Sequence, residues 1–96
     1  MVLHTLAAAP GHPAFTDCLA LAQDGDAVLL LGDGVYGALA GTASREALLA
    51  SGAGIYLLDQ DARGAGVPLA QDGIELVDMD GFAALTERYA RQLAWY

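Results

Sequence analysis

The sequence predicts a small α/β fold: a Rossmann-like or flavodoxin-like layered domain with a mostly parallel sheet of four to five strands flanked by helices. Three observations carry this. Twelve glycines punctuate short apolar runs over 96 residues. The runs alternate between strand and helix character, as parallel β-α-β units do. One of them, Ala27–Leu31, is continuously apolar, as expected of a strand covered on both faces. The length fits one domain, residues 1–96.

Val2–Leu6 reads as the first strand, stopped by Pro10, Gly11 and Pro13. Ala14–Gln23 reads as a helix with Pro13 suited to its first turn. Phe15, Cys18, Leu19 and Ala22 recur at i, i+3, i+4 and i+7, one helical face. Asp24-Gly25-Asp26 ends that helix and Ala27–Leu31 is the second strand. Gly32-Asp33-Gly34 reads as a turn, and Val35–Leu39 fits a short helix. Ser44 is the expected N-cap of a helix through Ala50, with Gly52 beyond its end. Gly54–Leu58 is the third strand, Asp59–Arg63 a helical turn, and Gly64–Gly73 loop. Ile74–Val77 is the fourth strand. Asp80 is the expected cap of a last helix on which Phe82, Leu85, Tyr89 and Leu93 share a face. Crossovers should be right-handed. Sites in such sheets collect beyond the carboxyl ends of the strands, here Leu6–Gly11, Gly32–Gly34, Asp59–Asp61 and Asp78–Gly81.

Hydrophobic residues make up 55% of the chain and charged residues 17%, against about 25% charged in an average soluble domain. A chain this short buries only roughly 60–65% of its unfolded surface. Surplus apolar surface of this kind marks a partner interface, so an obligate oligomer is expected. The net charge is −8, with Arg45, Arg63, Arg88 and Arg91 as the only basic side chains besides two histidines. That leaves no basic footprint for direct binding of nucleic acid or of an anionic membrane. No signal peptide or spanning segment is read, and a soluble cytoplasmic protein is expected.

Gly32-Asp33-Gly34-Val35-Tyr36-Gly37 resembles a phosphate loop only superficially. Its G-x-G-x-x-G spacing is not followed by a clear helix and there is no Walker lysine, and Asp33 would repel phosphate. A tight turn shaped for close packing is the better reading. His4 and His12 have no Cys or His at ligand spacing, so neither a metal nor a cofactor is expected. His4 reads as a hydrogen-bonded core residue. Asp59, Asp61, Asp78 and Asp80 sit where turn-forming and capping Asp are common. Tyr36, Tyr56, Tyr89, Trp95 and Tyr96 read as core and interface aromatics, with the Gly32–Thr42 segment and the Trp95 end as candidate partner contacts.

Cys18 is the single cysteine and cannot form a disulfide within the chain. Its place on an apolar helical stripe suits a packed, inert thiol. It lies past the strongest part of the helix N-terminal field, beside Asp17, which would disfavour a thiolate. His12 would assist only if its loop folded back.

The opening LHTL, the Cys18-Leu19 helix, VLLLGDGVYGALAGT, VDMDGF…LT and the terminal QLAW together resemble the DsrH/TusB family, over nearly the whole chain and closer to the DsrH type. The resemblance implies a small α/β subunit of a cytoplasmic sulfur-relay complex. In such complexes DsrE/TusD-like, DsrF/TusC-like and DsrH/TusB-like subunits form a heterohexamer, a dimer of heterotrimers. They pass persulfide sulfur between cysteines in oxidative sulfur metabolism or tRNA 2-thiouridine formation, with a DsrC/TusE-like protein as a possible acceptor. Cys18 matches the first-helix cysteine of DsrH-type chains, so the resemblance implies an auxiliary persulfide carrier. Two rivals are open. One is a non-catalytic subunit that completes the complex and shapes its sister's active site, with Cys18 packed. The other is a homo-oligomeric orphan of the same fold.

Overall fold

The structure is a computed structural model that describes residues 1–96. The strands are β1 (Val2–Leu6), β2 (Ala27–Leu30), β3 (Gly54–Leu58), β4 (Ile74–Val77) and β5 (Arg91–Trp95). The helices are α1 (Pro13–Leu21), α2 (Ala43–Ala50), α3 (Asp59–Ala65) and α4 (Met79–Arg88), with a 3-10 helix over Gly32–Ala38 between β2 and α2. All pairings in the five-stranded sheet are parallel, in the order β4-β3-β2-β1-β5. The α/β class with a mostly parallel sheet is therefore the fold observed.

β2 is the central strand and all its residues are buried, as its unbroken apolar run requires. Its alternate side chains feed two cores. Val28 and Leu30 join Leu6, Phe15, Cys18, Val35, Leu48 and Ala62, so α1, the 3-10 helix, α2 and α3 cover one face. Ala27 and Leu29 join Leu3, Leu85 and Tyr89, so α4 covers the other. The strand order explains this split. From β1 to β4 the chain always steps in one direction, and same-handed crossovers then stack on one face. The β4-to-β5 crossover steps back, which sends α4 to the opposite face.

Four local expectations are corrected. Thr42, not Ser44, caps α2: its Oγ1 accepts from the amide of Arg45 at 3.3 Å, while Ser44 lies inside the first turn. Asp78, not Asp80, caps α4, its Oδ1 accepting from the amide of Gly81 at 2.8 Å. α3 runs on to Ala65 and stops at Gly66, whose φ of 73° is the left-handed conformation glycine allows. Leu93 does not continue the face of α4. The helix ends at Arg88, and Leu93 sits on β5 opposite His4 of β1. The predicted short helix over Val35–Leu39 and the turn before it form one 3-10 helix. No helix is long and apolar enough to cross a membrane.

Candidate functional site

α1 begins where His12 takes an extended conformation and its Nδ1 accepts from the amide of Ala14 at 3.1 Å. Pro13 occupies the first turn, where its missing N–H costs nothing. His12 is thus spent on capping the helix and does not fold over Cys18. The apolar stripe of α1 then sets the cysteine inward. Its exposure is 0%, and it lies in the same core cluster as Leu6, Phe15 and Val28. Burial pushes the thiol pKa from 9.0 to about 12, because a thiolate there would lose its hydration without gaining a counter-charge. The packed form of this cysteine is a protonated, apolar thiol.

Outside this layer, an open groove of about 880 Å³ runs between α1, the 3-10 helix and α2. Phe15, Leu19, Tyr36, Leu39 and Ala47 line it, and no charged side chain does. Phe15 and Leu19, its neighbours on α1, line the groove, whereas Cys18 is fully buried and does not.

The Gly32–Gly37 segment is shaped by packing. A Cβ on Gly34 would fall 2.0 Å from the carbonyl oxygen of Leu6, and one on Gly37 would fall 2.7 Å from the Phe15 ring. These glycines bring the 3-10 helix against β1 and α1, which is the close-packing role read from the sequence. At the carboxyl ends of the strands, Asp61 Oδ2 accepts from the amide of Gly32 at 2.7 Å, and Asp59 pairs with Arg63. Asp61 and Asp78 thus hold a turn and a helix start, and no cluster of ligating side chains suited to a metal ion forms.

One constellation was not legible in the sequence. His4 and Asp26 are 1% and 4% exposed, and His4 Nε2 lies 3.1 Å from Asp26 Oδ2. The indole N–H of Trp95 donates to His4 Nδ1 at 3.1 Å. An indole N–H only donates, so Nδ1 is the bare acceptor and the proton sits on Nε2, donating to Asp26. Asp26 also accepts from the amides of Val2 and Gln23. Burial raises its pKa, but the His4 hydrogen bond and those two amides outweigh this and hold the carboxyl below its ordinary value. The network ties β1, the entrance to β2 and β5 together. His4 is thus a hydrogen-bonded core residue, as read. Trp95, an expected partner contact, is half-buried against its own chain. The signal in the sequence was too diffuse to find: a histidine, an aspartate and a tryptophan up to 91 positions apart.

The model of the DsrH-like protein family matches residues 9–92. Protein TusB of Pectobacterium parmentieri is 40% identical over 98% of this chain and the whole of its own length. Protein TusB of Salmonella enteritidis is 41% identical over the same shares, and that of Klebsiella pneumoniae 40%. Among solved structures, the ychN protein from E. coli superposes with a TM-score of 0.77 at 18% identity, covering 98% of this chain and 97% of its own. Protein Tm0979 from Thermotoga maritima gives 0.69 at 22%, covering 92% and 93%. The two structures share the fold.

Proposed function

The chain belongs to the DsrH/TusB family, and from this premise we propose that it completes a cytoplasmic sulfur-relay complex with TusC/DsrF-like and TusD/DsrE-like sister chains. The assembly in this reading is a dimer of heterotrimers. A persulfide passes through the complex to a TusE/DsrC-like acceptor. Of the two pathways the family serves, the TusB relatives favour tRNA 2-thiouridine formation. With a net charge of −8, this subunit leaves the handling of tRNA to other components.

Within the complex, the chain acts as a structural subunit that shapes its sister's site. One observation carries this: the sulfur of Cys18 is fully enclosed and its thiol is held far above neutral pKa. A carrier thiol attacks as the thiolate. It would take the outer sulfur of a donor persulfide, releasing the donor as thiolate and leaving Cys18 as S–SH. The enclosed thiol is neither ionised nor reachable for that attack. The carrier reading, which the family position of Cys18 favours, requires sister subunits to turn the residue outward.

The experiment is complementation of a bacterium lacking its own TusB, with 2-thiouridine in tRNA measured by mass spectrometry. The chain restores the nucleoside, and Cys18→Ala restores it as well. No rescue by the wild-type chain, when it co-purifies with the sister subunits, refutes the pathway. Rescue by wild type but not by a folded Cys18→Ala, with a +32 Da adduct on Cys18, establishes the carrier instead.

A further inference from the structure

The last strand is anchored by few buried groups. β5 pairs with β1 on one side and with nothing on the other. Arg91, Gln92, Leu93 and Ala94 are exposed, and Trp95 alone on the strand is half-buried. Tyr96 beyond it is 84% exposed. Trp95 packs against the core on the α1 side, and its one polar side-chain group is the indole N–H that donates to His4 Nδ1 at 3.1 Å. The side-chain anchor of the C-terminal strand is thus an imidazole nitrogen, the group whose protonation falls nearest to neutral pH.

That nitrogen accepts only while it is bare. A proton added there makes it a donor, and two N–H groups then face each other at hydrogen-bond distance. At Nε2 the protonated ring makes a charge-assisted bond to the Asp26 carboxylate, roughly twice as strong as a neutral one. The indole bond is neutral on both sides and is the one that yields. Trp95 has a way out, because it stands at the end of an edge strand and is only half-buried. We propose that His4 is a proton-operated latch on the C-terminal strand: the neutral ring holds the Trp95 indole, and the ring protonated at Nδ1 keeps Asp26 and releases the indole. The step moves one proton from water onto the Nδ1 lone pair and breaks no covalent bond in the protein. Trp95 keeps its N–H and turns it to solvent, and water entering behind it accepts from Nδ1–H.

The surroundings of His4 order these events. Its side chain shares a side of β1 with Leu6, the side that α1 covers, while α4 covers the other. β2 sets Val28 opposite His4, and the charged group in contact with the ring is Asp26 at the entrance to that strand. The Asp26 carboxyl is held below its ordinary value, so it is still ionised when the imidazole takes up its proton. β5 sets Leu93 opposite His4, and Arg91, two places along the same face, is exposed. α1 carries the exposed Asp17 and the protonated thiol of Cys18, and the terminal amine sits on exposed Met1. The charge gained by the ring therefore falls against the buried Asp26 carboxylate. The latch stands on β1, β5 and the entrance to β2 and does not depend on the sulfur-relay reading.

Nuclear magnetic resonance of the full chain, labelled with nitrogen-15 in histidine and tryptophan, tests it from about pH 8 to about pH 5. Trp95 is the single tryptophan, so one indole N–H resonance reports the latch. On acidification, protonation of His4 Nδ1 and an upfield move of the indole proton are expected to share one midpoint. Across it, protection of the indole N–H against exchange, relative to free indole at the same pH, is expected to fall at least about tenfold. His4→Gln keeps an acceptor and a donor but takes up no proton, and is expected to lose the transition. Protonation of Nδ1 with the indole shift and protection unchanged overturns the proposal. So does unfolding, seen at the amides of Val28, Leu29 and Leu30, before His4 is protonated, and so does the same midpoint in a folded His4→Gln chain. The comparison of the two side chains within the native sequence decides the matter even where the glutamine variant does not fold.

Discussion

The enclosure of Cys18 is open to direct kinetic measurement. The perturbation is Ellman's reagent at about pH 7.5, with the native chain compared with the same chain in denaturing urea. Raising the pKa from 9.0 to about 12 lowers the thiolate fraction roughly a thousandfold, and the greater nucleophilicity of a more basic thiolate returns about 15- to 30-fold of that. Ionisation alone therefore slows the reaction only roughly 30- to 60-fold. Enclosure decides the rate, because a sulfur with 0% exposure reacts only from opened states. For a domain of about 5 kcal/mol stability, global opening has a population near 10⁻⁴ to 10⁻³. Native labelling is then expected to be about 10³- to 10⁴-fold slower than in urea, rising with denaturant along the unfolding slope. Native labelling within tenfold of the unfolded rate would refute the reasoning, because it would require a thiol that opens without the core.

Other perturbations test the remaining elements. Above the unfolded-state thiol pKa the unfolded chain loses a proton that native Cys18 keeps until about pH 12, so stability falls by up to about 1.4 kcal/mol per pH unit over that window. Asp26 has the opposite sign: its carboxyl is held below 3.8, so its contribution is present above that pH and is lost as pH falls through the lower native value. Urea midpoints across pH read both limbs, and Asp26→Asn should abolish the acid one. Gly34→Ala drives a Cβ to 2.0 Å from a backbone oxygen. It should cost more than about 4 kcal/mol and leave insoluble chain, and a soluble variant with an unshifted melting point would contradict the close approach. Thr42→Ala should cost about 1 kcal/mol through the lost cap of α2, and an equal or larger loss in Ser44→Ala would restore the cap expected from the sequence.

Much of the fold was legible because local signals agreed with the tertiary outcome. Ala27–Leu30 needed only its unbroken apolar run to be read as an interior strand, and Pro13 marked the start of α1 by backbone chemistry alone. The caps were misplaced by two residues at both Ser44 and Asp80, because several hydroxyls or carboxylates stood near each helix start and only the observed φ/ψ chooses among them. β5 was missed for a stronger reason. Phe82, Leu85, Tyr89 and Leu93 keep helical spacing across the end of α4, and a strand exposed on both faces shows no alternation of period two. Its identity comes from pairing with β1, a partner some ninety positions away.

The candidate site divides the same way. By itself the sequence determined an α/β layered domain, an acidic chain without a nucleic-acid footprint, a lone cysteine on an apolar helical stripe and a resemblance to one family, since all of these follow from composition and short-range periodicity. Only the tertiary structure decided which way Cys18 faces, that the groove beside α1 is lined by Phe15 and Leu19 and not by the cysteine, that His4 is locked between Asp26 and Trp95, and that β5 has an open edge. Those depend on contacts between segments far apart in the chain, and burial, pKa and edge exposure exist only once the segments have met.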